Sequence, residues 1–190
     1  CVKKSGRPDS TTATTTMTEN SQTPRPPSIN PAELTFRLVR ASDDPTLAAI
    51  IRSGMAEFGI CGEGPASDPE VASISTAYSG PRAAYFVVES GGRVLGGGGI
   101  GPITGSPDNV CELRKMYLSP ESRGLGAGWR LLELCLDAAR ERGYDRCHLA
   151  TLARMDRARR LYDRAGFLQL DHEVPGSGHL GCDTWYALEL

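Results

Sequence analysis

Residues 110–142 read VCELRKMYLSPESRGLGAGWRLLELCLDAARER. The first nine residues, 110–118, read as a strand, and Ser119-Pro120 ends it, because proline cannot donate to a sheet ladder. Gly124, Gly126 and Gly128 then stand at alternate positions in a turn. A helix follows at once, over about residues 125–142, with Gly143 as its stop. Gly128, Leu131, Leu132, Cys135 and Ala139 form one apolar face of that helix. Arg130, Glu133, Asp137, Arg140 and Glu141 form the opposite, wet face. A strand that passes through a glycine-rich turn into an amphipathic helix is the core of an α/β layer.

Upstream, Leu34, Phe36 and Leu38 alternate with polar residues, as in a half-buried strand. Asp44-Pro45 supplies an N-cap and a first-turn proline, and Leu47, Ile50, Ile51 and Met55 extend a helix to about Phe58. The Gly/Pro-rich stretch 59–69 reads as a loop, and 70–78 as a short helix. Strand-like runs 84–89 and 93–98 flank Gly91-Gly92, a hairpin signal. Residues 102–109 read as a loop.

Downstream comes a strand over 147–151. Met155, Ala158, Leu161, Tyr162 and Ala165 mark a helix stopped by Gly166. Closing strands follow at 167–170 and 184–190, the last with Tyr186, Leu188 and Leu190 on its core side and Trp185 half-exposed. Trp129 and Trp185 read as packing residues. The order βααβββαβαββ predicts a mixed α/β fold whose first half is antiparallel.

The chain has 190 residues, 39% of them hydrophobic, and a formal net charge of -2. This predicts one domain, residues 34–190, behind a disordered tail, 1–33, too poor in apolar side chains to offset its ordering entropy. The dispersed basic residues predict no nucleic-acid or membrane partner, and no apolar run reaches spanning length. Six scattered cysteines read as small core hydrophobes in a reducing, cytoplasmic setting. His179-x-x-Cys182 lacks further ligands, so no metal is expected.

Chemistry concentrates at residues 123–128. A helix N-terminus carries unpaired amides and a partial positive charge, which together bind phosphate. Glycine lets those amides approach a pyrophosphate closely, and Arg123 adds a cation at the mouth. The plainer alternative is a tight strand–helix turn that binds nothing. No Gly-Lys-Ser/Thr follows, which excludes a Walker loop. Gly96-Gly-Gly-Gly-Ile-Gly101 matches G-x-G-x-x-G but leads into Pro102 and a loop, so these read as hairpin glycines instead of a dinucleotide fingerprint.

These residues resemble the GNAT superfamily of N-acetyltransferases. Arg123-x-x-Gly126-x-Gly128 matches its pyrophosphate signature, and the strand before it has the family's character. The block Ala158-Arg-Arg-Leu161-Tyr162-Asp-Arg-Ala-Gly166-Phe167 is similar to its A-x-x-L-Y-x-x-x-G-F segment. The resemblance spans residues 34–190. It implies a central mixed, largely antiparallel sheet with helices on both faces, splayed between the fourth and fifth strands to admit acetyl-CoA. It also implies that the amides of Arg123, Gly124, Leu125, Gly126, Ala127 and Gly128 hold the pyrophosphate. The backbone of Met116, Tyr117 and Leu118 would pair with the pantetheine arm, and an N–H near Leu118 would polarise the thioester. Met155 stands where the family often has an asparagine, so no asparagine contact carries over.

By the same resemblance, Tyr162 takes the place of a general acid for the thiolate, although a tyrosine on an apolar helical stripe is also ordinary core. Glu112 takes the place of the carboxylate base of several related histone acetyltransferases, although it could equally be an ion-paired strand glutamate. Glu63, Asp68, His179 and Asp183 lie in loops that border the acceptor side in the family. A covalent acetyl carrier at Cys111 or Cys182 is not expected. The implied activity is acetyl transfer to a primary amine of a small molecule or peptide by direct attack. The alternatives are a non-catalytic acyl-CoA sensor or a related acyltransferase using another acyl group. Dimers are common among similar proteins, which makes a homodimer an expectation.

Overall fold

The computed structural model describes residues 29–60, 68–176 and 181–190. Its strands are β1 (Thr35–Leu38), β2 (Ala84–Ser90), β3 (Arg93–Pro102), β4 (Val110–Leu118), β5 (Arg146–Thr151), β6 (Leu168–Leu170) and β7 (Thr184–Glu189). Its helices are α1 (Asp44–Glu57), α2 (Pro69–Ala72), α3 (Ile74–Ala77), α4 (Ala127–Glu141) and α5 (Asp156–Arg164). Among the described residues the strands form one sheet in the order β1-β2-β3-β4-β5-β7-β6. Every neighbouring pair is antiparallel except β4–β5, which is parallel. The predicted mixed, largely antiparallel sheet is the one observed.

Helices cover both faces. Leu132, Cys135, Ala139 and Tyr162 from α4 and α5 pack on Ile100, Cys111, Leu113, Cys147 and Leu149 of the sheet. On the other face Leu47, Ile51 and Met55 of α1 join Val71, Ile74, Tyr78, Tyr85 and Val87. Ile29, Leu34 and Phe36 close a third cluster around Val88, Leu95, Ala127 and Leu131. Residues 1–28 of the expected tail lie outside the described residues. No described helix is long and apolar enough to cross a membrane.

Local chemistry moves several expected boundaries. Asp44 is the first residue of α1, and its carboxylate accepts from Ser75 N at 2.8 Å and from the Ser75 hydroxyl at 2.6 Å. The neighbouring Asp43 accepts from Arg40 N and pairs with Arg37. Ser73, at φ −148°, splits the expected helix over 70–78 into α2 and α3. Helix α4 begins at Ala127, two residues later than expected, because Gly124 and Gly126 hold positive φ.

Strand β3 runs through Gly96–Gly101 to Pro102, four residues past the expected end at residue 98. Its glycines are there for space. A methyl group at Gly99 would lie 2.6 Å from Tyr85 Cδ2 and 2.7 Å from both Ala84 O and Tyr78 Cε1. Gly99→Ala should therefore destabilise the fold by about 1–3 kcal/mol through overpacking. A lowered denaturant midpoint at unchanged m-value would report it, and an unchanged midpoint would remove this account of the glycines.

Candidate active site

Strands β4 and β5 pair over three positions only, Val110↔Arg146, Cys111↔Cys147 and Glu112↔His148. Beyond them β4 bends away. Opposite β3, Gly97 faces Tyr117 and Gly99 faces Arg114, so β4 carries one extra residue there. Lys115 adopts φ 52° at this bulge, and a bulge bends and twists the strand that holds it. Strand β5 cannot follow, because β7 pairs with it from Arg146 to Thr151. The result is a cleft of about 100 Å³, walled by Leu113, Met116 and Tyr117 on one side and Ala150, Thr151 and Leu152 on the other. Met55 of α1 and Ile60 just beyond that helix reach it, as do Met155, Ala158 and Tyr162 from the α5 side.

At its outer end β4 turns into α4. Ser119 N donates to Leu95 O at 2.8 Å while Leu118 stands opposite Gly96. That makes Leu118–Gly96 a non-hydrogen-bonded pair, so the N–H and C=O of Leu118 point away from β3 toward the free edge. After a 3-10 turn at Pro120–Ser122, Gly124 and Gly126 hold φ 81° and 84°. Arg123 N is tied to Pro120 O, and Arg130 N to Gly126 O. Among the described residues the amides of residues 124–129 have no acceptor. They stand close to the cleft, since a methyl group at Gly128 would lie 3.6 Å from Leu118 Cδ1 and 3.8 Å from Met116 Cε.

Arg123 itself turns elsewhere. Its guanidinium forms a two-point pair with Glu57 at 2.6 and 2.8 Å, and its Nε donates to Leu118 O at 3.0 Å. The pair raises the guanidinium pKa and lowers that of Glu57. The Arg123 side chain thus straps the glycine turn to the end of α1 and to β4. Its cation is engaged with a carboxylate and not offered at the turn's mouth.

Tyr162 sits on α5 with its ring tilted against Phe167 and Tyr186, at centroid distances of 5.8 and 6.0 Å. Among the described residues its hydroxyl makes no hydrogen bond, and burial holds the phenol above its ordinary pKa. Burial pushes the neighbouring Tyr117 up to about 12 and the cleft-wall thiol of Cys182 up to about 11. Met155, in the position noted above, takes a hydrogen bond from the Thr151 hydroxyl on its sulfur at 3.5 Å.

Glu112 is buried at the vertex where the two strands part, with one oxygen 3.8 Å from Arg114 Nε. Alternation along β4 sets Cys111 and Leu113 toward α4 and α5, so Glu112 belongs to the opposite face. Asp68 caps α2 through Glu70 N and pairs with Lys115 Nζ at 2.7 Å. Asp183 accepts from Ala153 N at 2.6 Å and from the Thr184 hydroxyl, so it braces the loop between β5 and α5. Glu63 and His179 lie outside the described residues.

Three residues escape the sequence reading. Lys115 is buried on the cleft wall, and no composition rule marks it for the bulge. His148, buried opposite Glu112, has a pKa lowered by burial, and its Nδ1 finds no partner among the described residues. The alternation of Cys147, His148 and Leu149 was its signal. Arg154 donates to Phe58 O at 3.1 Å from Nε and 2.5 Å from Nη2, linking the β5 side of the cleft to the end of α1.

Comparison with known proteins agrees with this fold. The sequence model of the acetyltransferase (GNAT) family matches residues 29–167. The chain is 38% identical over 164 residues to the uncharacterized N-acetyltransferase YjgM of Escherichia coli K12, covering 85% of this chain and 98% of YjgM. In fold it is similar to an acetyltransferase of the GNAT family from Staphylococcus aureus Mu50, with a TM-score of 0.72 at 20% identity over 82% of this chain and 98% of that one. It is also similar to the PaiA N-acetyltransferase of Thermoplasma acidophilum, solved in complex with coenzyme A, with a TM-score of 0.66 at 18% identity over 83% and 99% of the two chains.

Proposed function

The chain belongs to the acetyltransferase (GNAT) family and is an acyl-CoA-dependent N-acyltransferase, and from that premise we propose that it moves acetyl from acetyl-CoA to a primary amine of a small molecule or peptide. The observation that carries this reading is the set of uncapped amides at residues 124–129 beside a cleft that opens between β4 and β5. Backbone donors fixed by the fold suit a pyrophosphate, because they need no reorganisation when the anion arrives. The apolar walls suit a pantetheine arm, and the free edge of β4 at Met116, Tyr117 and Leu118 supplies backbone partners for its amides. The Leu118 N–H is the donor we assign to the thioester oxygen, where negative charge grows as the amine attacks.

In the transfer the amine nitrogen forms a bond to the acetyl carbon and the C–S bond breaks. One proton of the incoming ammonium leaves through water toward Glu112, the departing thiolate takes a proton from Tyr162, and the second nitrogen proton, lost as the amide forms, returns through water to the phenolate. Direct attack is favoured over a cysteine carrier, since the cleft thiol, Cys182, is held neutral at neutral pH and a neutral thiol is a weak nucleophile. The acceptor approaches the face that carries Glu112, Asp68 and Lys115.

The deciding measurement is free-thiol release from acetyl-CoA in the presence of a panel of primary amines. Release that depends on an amine is expected. Tight CoA binding with no release across the panel would replace the enzyme with an acyl-CoA sensor.

A further inference from the structure

Acetyl transfer to an ammonium group releases one proton net. The amine arrives as an ammonium and leaves as a neutral amide, while the thiol leaves neutral, so every turnover must send one proton to solvent. That proton passes first to Glu112, which is only 2% exposed. A carboxylic acid enclosed where β4 and β5 part has to be emptied before the next amine arrives.

Two described groups beside Glu112 cannot empty it. Arg114, 3.8 Å away, is permanently charged and accepts nothing. The Cys182 thiol also feels the Glu112 charge, but burial first of all pushes its pKa up to about 11, so it is a neutral thiol and a feeble acceptor.

His148 can. It stands directly opposite Glu112 at the last rung of the parallel pair, where neighbouring strands lie about 4.8 Å apart. Cys111 and Leu113 turn with Cys147 and Leu149 into the core under α4 and α5, so Glu112 and His148 share the other face of the sheet. Burial, then the charge of Arg146, holds the imidazole below its ordinary pKa, against the pull of Glu112 and Glu189. The ring is therefore uncharged at neutral pH and able to accept a proton. Of its nitrogens only Nδ1 is enclosed without a hydrogen bond among the described residues. Besides Glu112, the charged or titratable groups that act on the ring are Arg146 of β5, Glu189 of β7 and His172 beyond β6, and all three are exposed. The imidazole thus lies between a buried carboxyl group and the outer surface.

We propose that His148 relays to solvent the proton that Glu112 takes from the acceptor amine. This rests on the acyl-transfer reading above. The acid form of Glu112 loses its proton to the neutral imidazole, which leaves a carboxylate beside an imidazolium. The imidazolium then gives a proton to water, and exchange with water resets the ring. His148 is not among the residues that wall the cleft, so it acts through Glu112 and not on the reacting atoms.

The test measures kcat at neutral pH on the full chain, with the primary amine of the panel that gives the fastest thiol release, in His148→Gln and His148→Ala. Glutamine fills most of the space and relays no proton. It should lower kcat by about tenfold or more while the Kd for coenzyme A moves less than about threefold. Alanine leaves a gap on the solvent side, where added imidazole should restore turnover in proportion to its concentration and leave the unaltered chain unaffected. Wild-type turnover in the glutamine variant overturns the proposal, since the proton then leaves by the cleft water. A loss in both variants that imidazole does not restore also overturns it and marks the ring as packing. A nitrogen-15 titration needs no acceptor and resolves His148 among only three histidines. Glu112→Gln should lower the His148 pKa by about 1, because the charge that favours the imidazolium is gone. An unchanged value removes the contact on which the relay depends. If no amine of the panel gives thiol release, the acyl-transfer reading falls and the relay falls with it.

Discussion

Tyr162→Phe is expected to lower kcat for acetyl transfer by about two to three orders of magnitude, the range for losing a positioned acid, while the Kd for coenzyme A moves less than about threefold. The split follows from the surroundings of the phenol. Its ring is packed against Phe167 and Tyr186, so phenylalanine keeps the packing. Its hydroxyl bonds to nothing among the described residues, so its loss orphans no partner and should shift stability little. Acid strength is the apparent objection, because burial raises the phenol above its ordinary value while a free thiol ionises near about 8.5. Burial disfavours a thiolate as it does a phenolate, and it pushes the cleft-wall thiol of Cys182 up to about 11. Donor and acceptor are therefore shifted in the same direction, which lessens the mismatch between them. The sign for pH follows. A phenol with a raised pKa keeps its proton throughout the neutral range, so activity should climb with pH as the amine deprotonates, with no falling limb below pH about 10 from Tyr162. Wild-type turnover in the phenylalanine variant, or a falling limb near neutrality that it removes, would end the assignment.

Much of this was legible in the residues, and the gaps have physical causes. The strand, turn and helix of residues 110–142 were readable because periodicity, Pro120 and three glycines all point the same way. Glycines 99–101 hid the end of β3, since a glycine run gives no sign of strand unless the rings that fill its space are known. Tyr78, Tyr85 and Met116 come to β3 from other elements, and such contacts are set by the sheet. The bulge at Lys115 was invisible for a similar reason. It is a mismatch of count between β3 and β4, a property of a pair of strands and not of either one. Arg123 was read for its charge and not for its partner, because Glu57 lies 66 residues away. Local pattern thus located the amide turn, while the polar contacts that brace it are long-range. The acceptor side stayed dark, for Asp68 and Asp183 proved committed to Glu70 N and Lys115, and to Ala153 N.

Gly126→Val should raise the Kd for coenzyme A by about a hundredfold or more, the loss of roughly two charge-assisted hydrogen bonds, in a protein that still folds. Gly126 holds φ 84° at the cap of α4, and a methyl group there would meet nothing within 4 Å. The substitution is therefore strained by its backbone and not by crowding. A left-handed conformation costs an L-residue about 1–2 kcal/mol, and valine relaxes by swinging φ negative, which re-aims the neighbouring amides. On a domain of this size that strain amounts to a fall in Tm of about 2–4 °C per kcal/mol. Gly126→Ala separates the two routes to lost binding. Alanine brings the same backbone penalty with little bulk, so equal losses for alanine and valine would place the effect in the direction of the amides. A loss confined to valine would place it in a side chain standing over them. Either pattern supports an anion held by residues 124–129. Wild-type affinity in both variants would mean that these donors hold nothing, and the cleft between β4 and β5 would need another occupant.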